Sequence, residues 1–297
     1  MLNIVSWNIA RRPEAWRELL NSGADIALLQ EACPPPSDIA ERVDAGPEPW
    51  HTDGAGTYRP WRAAVVSLNP QLRLERHAPR SVADASSREL AVSRLGTLAA
   101  ATVCKDGLDA PITVVSLYSA WERPLAASRS EWIYADASAH RLISDLTMFI
   151  GTQRGHRIIA AGDLNILHGH GENGSKYWAG RYQTIFDRMA ALGIPFVGPQ
   201  APHGRQADPW PGELPGDSKN FPTFHTSSQT PEAATRQLDF VFASEELKKL
   251  VSVYAMNEPR DWGPSDHCRV LIQVRAEPVQ HIRQDIASGP SLPTVSS

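Results

Sequence analysis

The chain has 297 residues, 42% of them hydrophobic and 21% charged, with a formal net charge of −4. That balance is ordinary for a soluble globule and excludes a mostly disordered chain. No apolar run approaches the roughly 18 residues of a membrane-spanning helix. Cys33, Cys104 and Cys268 are odd in number and far apart, with no C-x-x-C pair. This disfavours a disulfide framework or a structural zinc and predicts a reducing, cytoplasmic location. The first residues lack a basic segment followed by a long apolar stretch, so no secretory signal is expected. The acidic balance excludes a histone-like polycation, but not nucleic acid, because a local groove or bound cations can meet a phosphate.

Strand-like and helix-like segments alternate along the chain. Residues 2–7 and 25–30 are short apolar runs of buried-strand type. Pro13 to Asn21 between them reads as a helix, with Pro13 in its first turn and Gly23 just past its end. After Pro34-Pro35-Pro36 a short helix is expected to about residue 43. Strands are expected at 61–68, 71–77, 96–104 and 111–118, with Lys105-Asp106-Gly107 as a hairpin signal. Ser128 to about Ile150 reads as an amphipathic helix carrying Trp132, Leu142, Leu146 and Ile150. A strand at 157–161 leads into Gly162-Asp163-Leu164-Asn165, and a helix is expected at 176–192. Strands at 237–243, 250–255 and 269–274 complete the pattern. Residues 195–231 hold eight prolines and read as a long irregular loop, either functional or a plain surface excursion. One domain is expected over residues 1–276, with a disordered tail over 277–297.

Acidic and amide residues stand at the ends of the apolar strands: Asn8, Glu31, Tyr118, Asp163, Asn165, and Asp266 with His267. Strand ends let a rigid sheet present side chains to one cleft. Any one of these residues alone reads more simply as a turn or capping residue. Asp239 differs, because a carboxylate in an apolar strand needs a partner such as an imidazole or a metal. Asn8, Glu31 and Asp266 are hard oxygen donors suited to Mg²⁺ or Mn²⁺. His267 with Asp239 makes a His–carboxylate dyad. Asp163 can align and deprotonate a water, and Asn165 can donate to a phosphate oxygen. Together they suit attack of water on phosphorus.

At these residues the sequence resembles the endonuclease/exonuclease/phosphatase superfamily. The matching stretches are Ser6-Trp7-Asn8, Leu29-Gln30-Glu31, Ser116-Leu117-Tyr118, Gly162-Asp163-Leu164-Asn165, Leu238-Asp239-Phe240 and Ser265-Asp266-His267, in the family's order. The resemblance implies an α/β fold, a four-layer α/β/β/α sandwich of two packed mixed sheets. It implies that Asn8, Glu31 and Asp266 surround a Mg²⁺ or Mn²⁺ ion. It further implies that Asp163 and Asn165 handle nucleophile and phosphate, and that Tyr118 contacts the phosphate side. His267, oriented by Asp239, would bind the scissile phosphate or act in acid–base chemistry. Phe221-Pro222-Thr223-Phe224-His225 resembles the family segment before the Asp239 strand, which makes Thr223 a substrate-side candidate.

Ala10, Ala32-Cys33 and Gln237 depart from the abasic-site endonuclease pattern, and Gln237-Leu238-Asp239 departs from the inositol 5-phosphatase pattern. His168 and His170, in a glycine-rich stretch, read as surface histidines in preference to a second metal site. Arg11, Arg12, Trp121, Arg123, Tyr177, Trp178 and Arg181 are aromatic and basic residues that could meet nucleic acid, and Arg181 is the substrate-binding candidate among them. The reading is a metal-dependent phosphodiesterase with a nucleic acid substrate and no obligate protein partner. The alternatives are a phosphatase or lipid phosphodiesterase with the same chemistry, and a non-catalytic scaffold.

Overall fold

The computed structural model describes residues 1–47, 49–54, 57–86, 89–105, 107–122, 134–151 and 155–276. The strands in chain order are β1 (Leu2–Asn8), β2 (Ile26–Ala32), β3 (Thr52–Gly54), β4 (Thr57–Arg59), β5 (Arg62–Ser67), β6 (Arg73–His77), β7 (Pro79–Ser81), β8 (Leu90–Val92), β9 (Leu98–Cys104), β10 (Ile112–Tyr118), β11 (Ile158–Asp163), β12 (Phe196–Gly198), β13 (Asp239–Ala243), β14 (Val251–Met256) and β15 (Arg269–Val274). The helices are α1 (Ala15–Leu20), α2 (Ser37–Ala40), α3 (Ala135–Leu146), α4 (Lys176–Ala191) and α5 (Glu245–Lys248).

Eleven of the strands form two mixed sheets, in the orders β14-β15-β1-β2-β5 and β12-β13-β11-β10-β9-β6. Each sheet contains a single parallel pair, β1 with β2 and β10 with β11, and all the other pairings are antiparallel. Parallel partners end at the same edge of a sheet, so each pair delivers two chain ends to one place.

Strand alternation assigns the layers. Leu2 and Ile4 of β1, Ile26 and Leu28 of β2, Ile112 and Val114 of β10, Ile159 and Ala161 of β11, and Val241 and Ala243 of β13 pack together between the sheets. Their neighbours face outward. Val5, Trp7, Ala27 and Leu29 meet Ala15, Trp16 and Leu19 of α1 and Ile39 of α2. On the other side Val115, Leu117, Ala160, Phe240 and Phe242 meet Leu142 and Leu146 of α3 and Ile185, Phe186 and Met189 of α4. The result is the expected α/β/β/α order of layers.

The same period of two continues to the strand ends. One step beyond Ile4, Leu28 and Val114, the inward positions are Ser6, Gln30 and Ser116. Gln30 is fully buried, and its amide donates to Ser116 Oγ at 2.9 Å and Ser6 Oγ at 3.5 Å, joining the sheets. One step further stand Asn8, Tyr118, Asp163 and Asp239. The core therefore turns polar at one end because of its own alternation.

The short strands β3, β4, β7, β8 and β12 and the helix α5 have no counterpart in the sequence reading. The α2 helix is four residues long and ends before the expected residue 43. The long helix begins at Ala135 and passes into a 3₁₀ turn at Thr147–Phe149. Its expected start at 128–133 with Trp132, together with Asp106 of the hairpin signal, Arg123 and the tail from 277, lies outside the described residues. The proline-rich excursion starts on β12, which pairs with β13, and is otherwise irregular apart from a 3₁₀ turn at Pro231–Ala233 before β13. Among the described residues no helix is long and apolar enough to cross a membrane.

Two residues fix the frame. Asp25 accepts hydrogen bonds from the Asn3 amide (2.9 Å), Asn69 Nδ2 (2.7 Å) and Lys105 Nζ (2.9 Å), tying β1, the loop after β5 and the β9–β10 connection together. Burial pushes the Asp25 carboxyl up, but these donors outweigh it and hold it below its ordinary value. Gly162 pairs with Leu117 of β10, and a Cβ there would stand 1.8 Å from the Leu117 carbonyl oxygen.

Asp25→Ala is expected to cost about 1–3 kcal/mol at neutral pH, because three donors lose their acceptor. The folded-state pKa of Asp25 is depressed. Its contribution is therefore complete above the unfolded value near 3.8 and fades as pH falls through the folded one, so wild-type and variant stabilities converge in acid. Chemical denaturation across pH checks this. Gly162→Ala is expected to lose more than about 2 kcal/mol by the same measurement, since the clash is with backbone.

Candidate active site

Asp163, the last residue of β11, is 1% exposed and sits at the centre of the polar end of the core. Its Oδ2 accepts from Asn8 Nδ2 at 3.0 Å and Asn165 Nδ2 at 3.3 Å, and lies 3.7 Å from His267 Nε2. Its Oδ1 accepts from the Asn165 backbone amide at 2.9 Å. Asn165 Nδ2 also donates to the Ser119 carbonyl at 3.1 Å. His267 Nδ1 bonds to Asp239 Oδ2 at 2.8 Å, which leaves Nε2 facing Asp163. Both partners are buried.

Burial raises the Asp163 carboxyl to about 7, helped by the Asp239 charge and opposed by His267. For His267, burial alone favours the neutral ring, but Asp239 and Asp163 outweigh it and push the imidazole up to about 10. The two acidic neighbours thus favour the protonated form of the ring. Tyr118 Oη donates to Glu31 Oε1 at 2.8 Å, and its ring stands edge-on to Trp61. Burial, followed by the charges of Glu31 and Asp163, raises its phenol well above the ordinary value, so it remains a donor.

Local backbone shape aims these groups. Glu31 has φ +44° and stands where the β2–β5 register shifts between Leu29 and Ala32. Such a bulge redirects a side chain that a regular strand would bury. Asn8 Oδ1 accepts from the Ala10 amide at 2.9 Å, and Ala10, Arg11 and Asn165 have φ of 46°, 61° and 51°. Of the five non-glycine residues with positive φ among the described residues, four line one pocket; concentrated backbone strain of this kind marks functional sites.

That pocket has a volume of about 250 Å³. Glu31, Tyr118, Asp163, Asn165, Asp266 and His267 line it, joined by Ala10, Arg11, Trp121, Glu172, Phe224, Arg236 and Leu238. Asn8 and Asp239 lie beneath its wall, each 2% exposed, and are hydrogen-bonded to Asp163 and His267 respectively.

Two sequence candidates are placed elsewhere. Thr223 is fully buried, and its hydroxyl accepts from the amides of Leu238 (3.0 Å) and Asp239 (3.1 Å). It supports the start of β13 and does not line the pocket, so the expectation of a substrate contact is corrected. Arg181 on α4 is held by Asp136 Oδ2 and the Tyr177 hydroxyl and lies over the rings of Tyr134, Tyr177 and Trp178. It is a link between α3 and α4 and does not line the pocket. His168 is half-buried and not a free surface histidine: it packs on Phe186 and Phe196 and bonds to Asn220. Arg11 and Trp121 do reach the pocket. Glu172 and Arg236 were missed as pocket residues. Arg236 shares the parity of Leu238, one strand period before it, and that alternation was the available signal.

Residues 5–267 match the sequence profile of the Endonuclease/Exonuclease/phosphatase family. The chain belongs to this family. It is accordingly a hydrolase acting on phosphoester bonds. The AP endonuclease of Leishmania major has the same fold, with 16% identity over 92% of this chain and 87% of that one and a TM-score of 0.59. An AP endonuclease from Archaeoglobus fulgidus gives 16% identity, 92% and 99% coverage and a TM-score of 0.58. A 3′ phosphatase from Neisseria, solved with a product DNA hairpin, gives 16%, 93% and 100%, and 0.53. No curated protein matches the chain in sequence.

The donor set of Asn8, Glu31 and Asp266 is two carboxylates and an amide, all hard oxygens. Among the described residues no three His, Cys, Asp or Glu side chains converge as a metal cage. A sparse oxygen set of this kind fits Mg²⁺, which retains water and phosphate ligands of its own.

Thr223→Val is nearly isosteric but removes the acceptor shared by two amides. It is expected to cost about 1–3 kcal/mol in denaturation and to lower kcat more than it raises KM, because Asp239 and the imidazole it orients shift.

Proposed function

We propose that this member of the family is a Mg²⁺- or Mn²⁺-dependent phosphodiesterase that cleaves nucleic acid. The observation that carries the reading is the convergence of Asp163, Asn165 and the Asp239-held His267 with Glu31 and Asp266 at one pocket. Glu31 and Asp266, with Asn8 from below, would hold the ion. When bound, the ion supplies Lewis-acid charge to a phosphate oxygen.

The chain's own groups supply the remaining chemistry. Asp163 accepts the proton of the attacking water as the water oxygen bonds to phosphorus and the bond to the leaving ester oxygen breaks, that oxygen taking a proton from solvent; Asn8 and Asn165 hold the Asp163 oxygens in place. Asn165 also fixes the turn that carries it. His267 presents a charged Nε2–H to the phosphate as negative charge grows on its oxygens. Tyr118 donates a hydrogen bond to Glu31 and so orients that carboxylate. Trp121, 47% exposed at the pocket, offers a ring for a base to stack on. The DNA-bound Neisseria phosphatase of the same fold supports a nucleic acid substrate.

Cleavage of DNA and RNA oligonucleotides with added Mg²⁺ or Mn²⁺ tests the proposal. Asp163→Asn and His267→Ala are each expected to lower kcat by about 100- to 10,000-fold, and excess chelator is expected to abolish turnover. Activity that survives both substitutions, or survives the chelator, overturns the mechanism. Turnover confined to inositol phosphates or sphingomyelin in the same panel overturns the choice of substrate.

A further inference from the structure

The pocket wall contains an ion pair that the chemistry above does not use. Arg236 Nη2 donates to Glu172 Oε2 at 2.8 Å, and both residues line the pocket. Neither makes a hydrogen bond or ion pair with Asp163, Asn165 or His267 among the described residues.

Both stems are fixed. The Arg236 carbonyl accepts from the amides of Thr223 (2.8 Å) and Phe224 (3.1 Å), and the Phe224 ring packs on His267. Glu172 belongs to a tight turn closed by Gly174 N to Gly171 O (3.0 Å) and Ser175 N to Glu172 O (3.0 Å). Gly171 presses against the start of α4, where a Cβ would stand 2.2 Å from the Ser175 carbonyl. Two anchored stems thus hold a guanidinium and a carboxylate across one side of the pocket.

Only one donor of Arg236 is engaged within the protein among the described residues, and the side chain is 42% exposed. A guanidinium in this state retains donors for a second, planar or tetrahedral anion. Glu172 neutralises it in the free protein and repels any phosphate that approaches without gaining the arginine.

We infer that Arg236 is a specificity residue that binds a phosphate flanking the scissile one, and that Glu172 is the internal anion this phosphate displaces. The inference rests on the phosphodiesterase reading and deepens it: the preferred substrate is a polynucleotide strand carrying phosphate beside the cleaved bond, in preference to a lone phosphodiester. The flanking phosphate takes the hydrogen bond that Glu172 gives up, and the released carboxylate turns to water.

The test compares a hexanucleotide with a dinucleotide that has one phosphate, both with Mn²⁺. Arg236→Ala is expected to lower kcat/KM on the hexanucleotide by about 10- to 100-fold, the range of one lost charge-assisted hydrogen bond. The loss on the dinucleotide is expected to be several-fold smaller, and Arg236→Lys to recover part of the difference. Glu172→Gln, which retains size and removes the competing charge, is expected to lower KM on the hexanucleotide. Equal losses on both substrates with Arg236→Ala, or a raised hexanucleotide KM with Glu172→Gln, overturn the inference and leave the phosphodiesterase reading standing. No turnover of either substrate by the wild-type protein overturns that reading, and the inference with it. Thermal midpoints of all three variants separate these results from misfolding.

Discussion

A carboxylate buried as deeply as Asp163 is costly unless its oxygens are met. Four elements meet them: Asn8 from β1, Asn165 from the turn after β11, His267 from the approach to β15, and Asp239 of β13 through the imidazole. Two of these elements belong to one sheet and two to the other. The compensation of a single charge therefore requires the two sheets to be stacked in register at that end. Gln30, bridging to Ser116 one layer below, holds the same register by a neutral hydrogen bond. Packing and the proposed catalysis share this constraint, because the donors that make the buried charge tolerable also set its direction.

The parallel pairs explain why the site is at this end. β1 and β2 run the same way, as do β10 and β11, so Asn8, Glu31, Tyr118 and Asp163 arrive together from distant parts of the chain. The antiparallel strands β13 and β15 contribute from their starts, and so Asp239 and His267 stand at the beginnings of segments whose partners contribute at their ends. Side-chain alternation then places a polar group on the inner face wherever the apolar layer stops.

Much of this was legible in the sequence. The apolar runs of β1, β2, β10 and β11 are distinctive, and a polar residue immediately after such a run is visible without coordinates. The short strands β3, β4, β7 and β8 were not, because three residues give no period to read. Thr223 illustrates a different limit. A hydroxyl that serves two backbone amides looks, in sequence, the same as one that serves a substrate. Arg181 and His168 fail for a related reason: a cation or imidazole in a loop-like or helical stretch gives no sign of the carboxylate or phenyl ring that will claim it. The Glu172–Arg236 pair joins residues 64 positions apart, and neither stretch suggests the other.

The proline-rich excursion is pinned close to its base. Asn257 accepts from the Arg205 amide at 2.8 Å and donates to the carbonyls of Arg205 (2.7 Å) and Pro222 (2.9 Å), which closes the segment between them into a loop with fixed ends. Residues 223–225 follow this clamp and lie against the start of β13 and the pocket. Length changes at exposed Gly212 or Gly216, on either side of the buried Leu214, chiefly alter the closure entropy of a loop whose ends are already held, a cost that grows slowly with length. The excursion is thus a place where this chain can accept inserted sequence, even whole additional surfaces, while the support beneath Asp239 remains undisturbed.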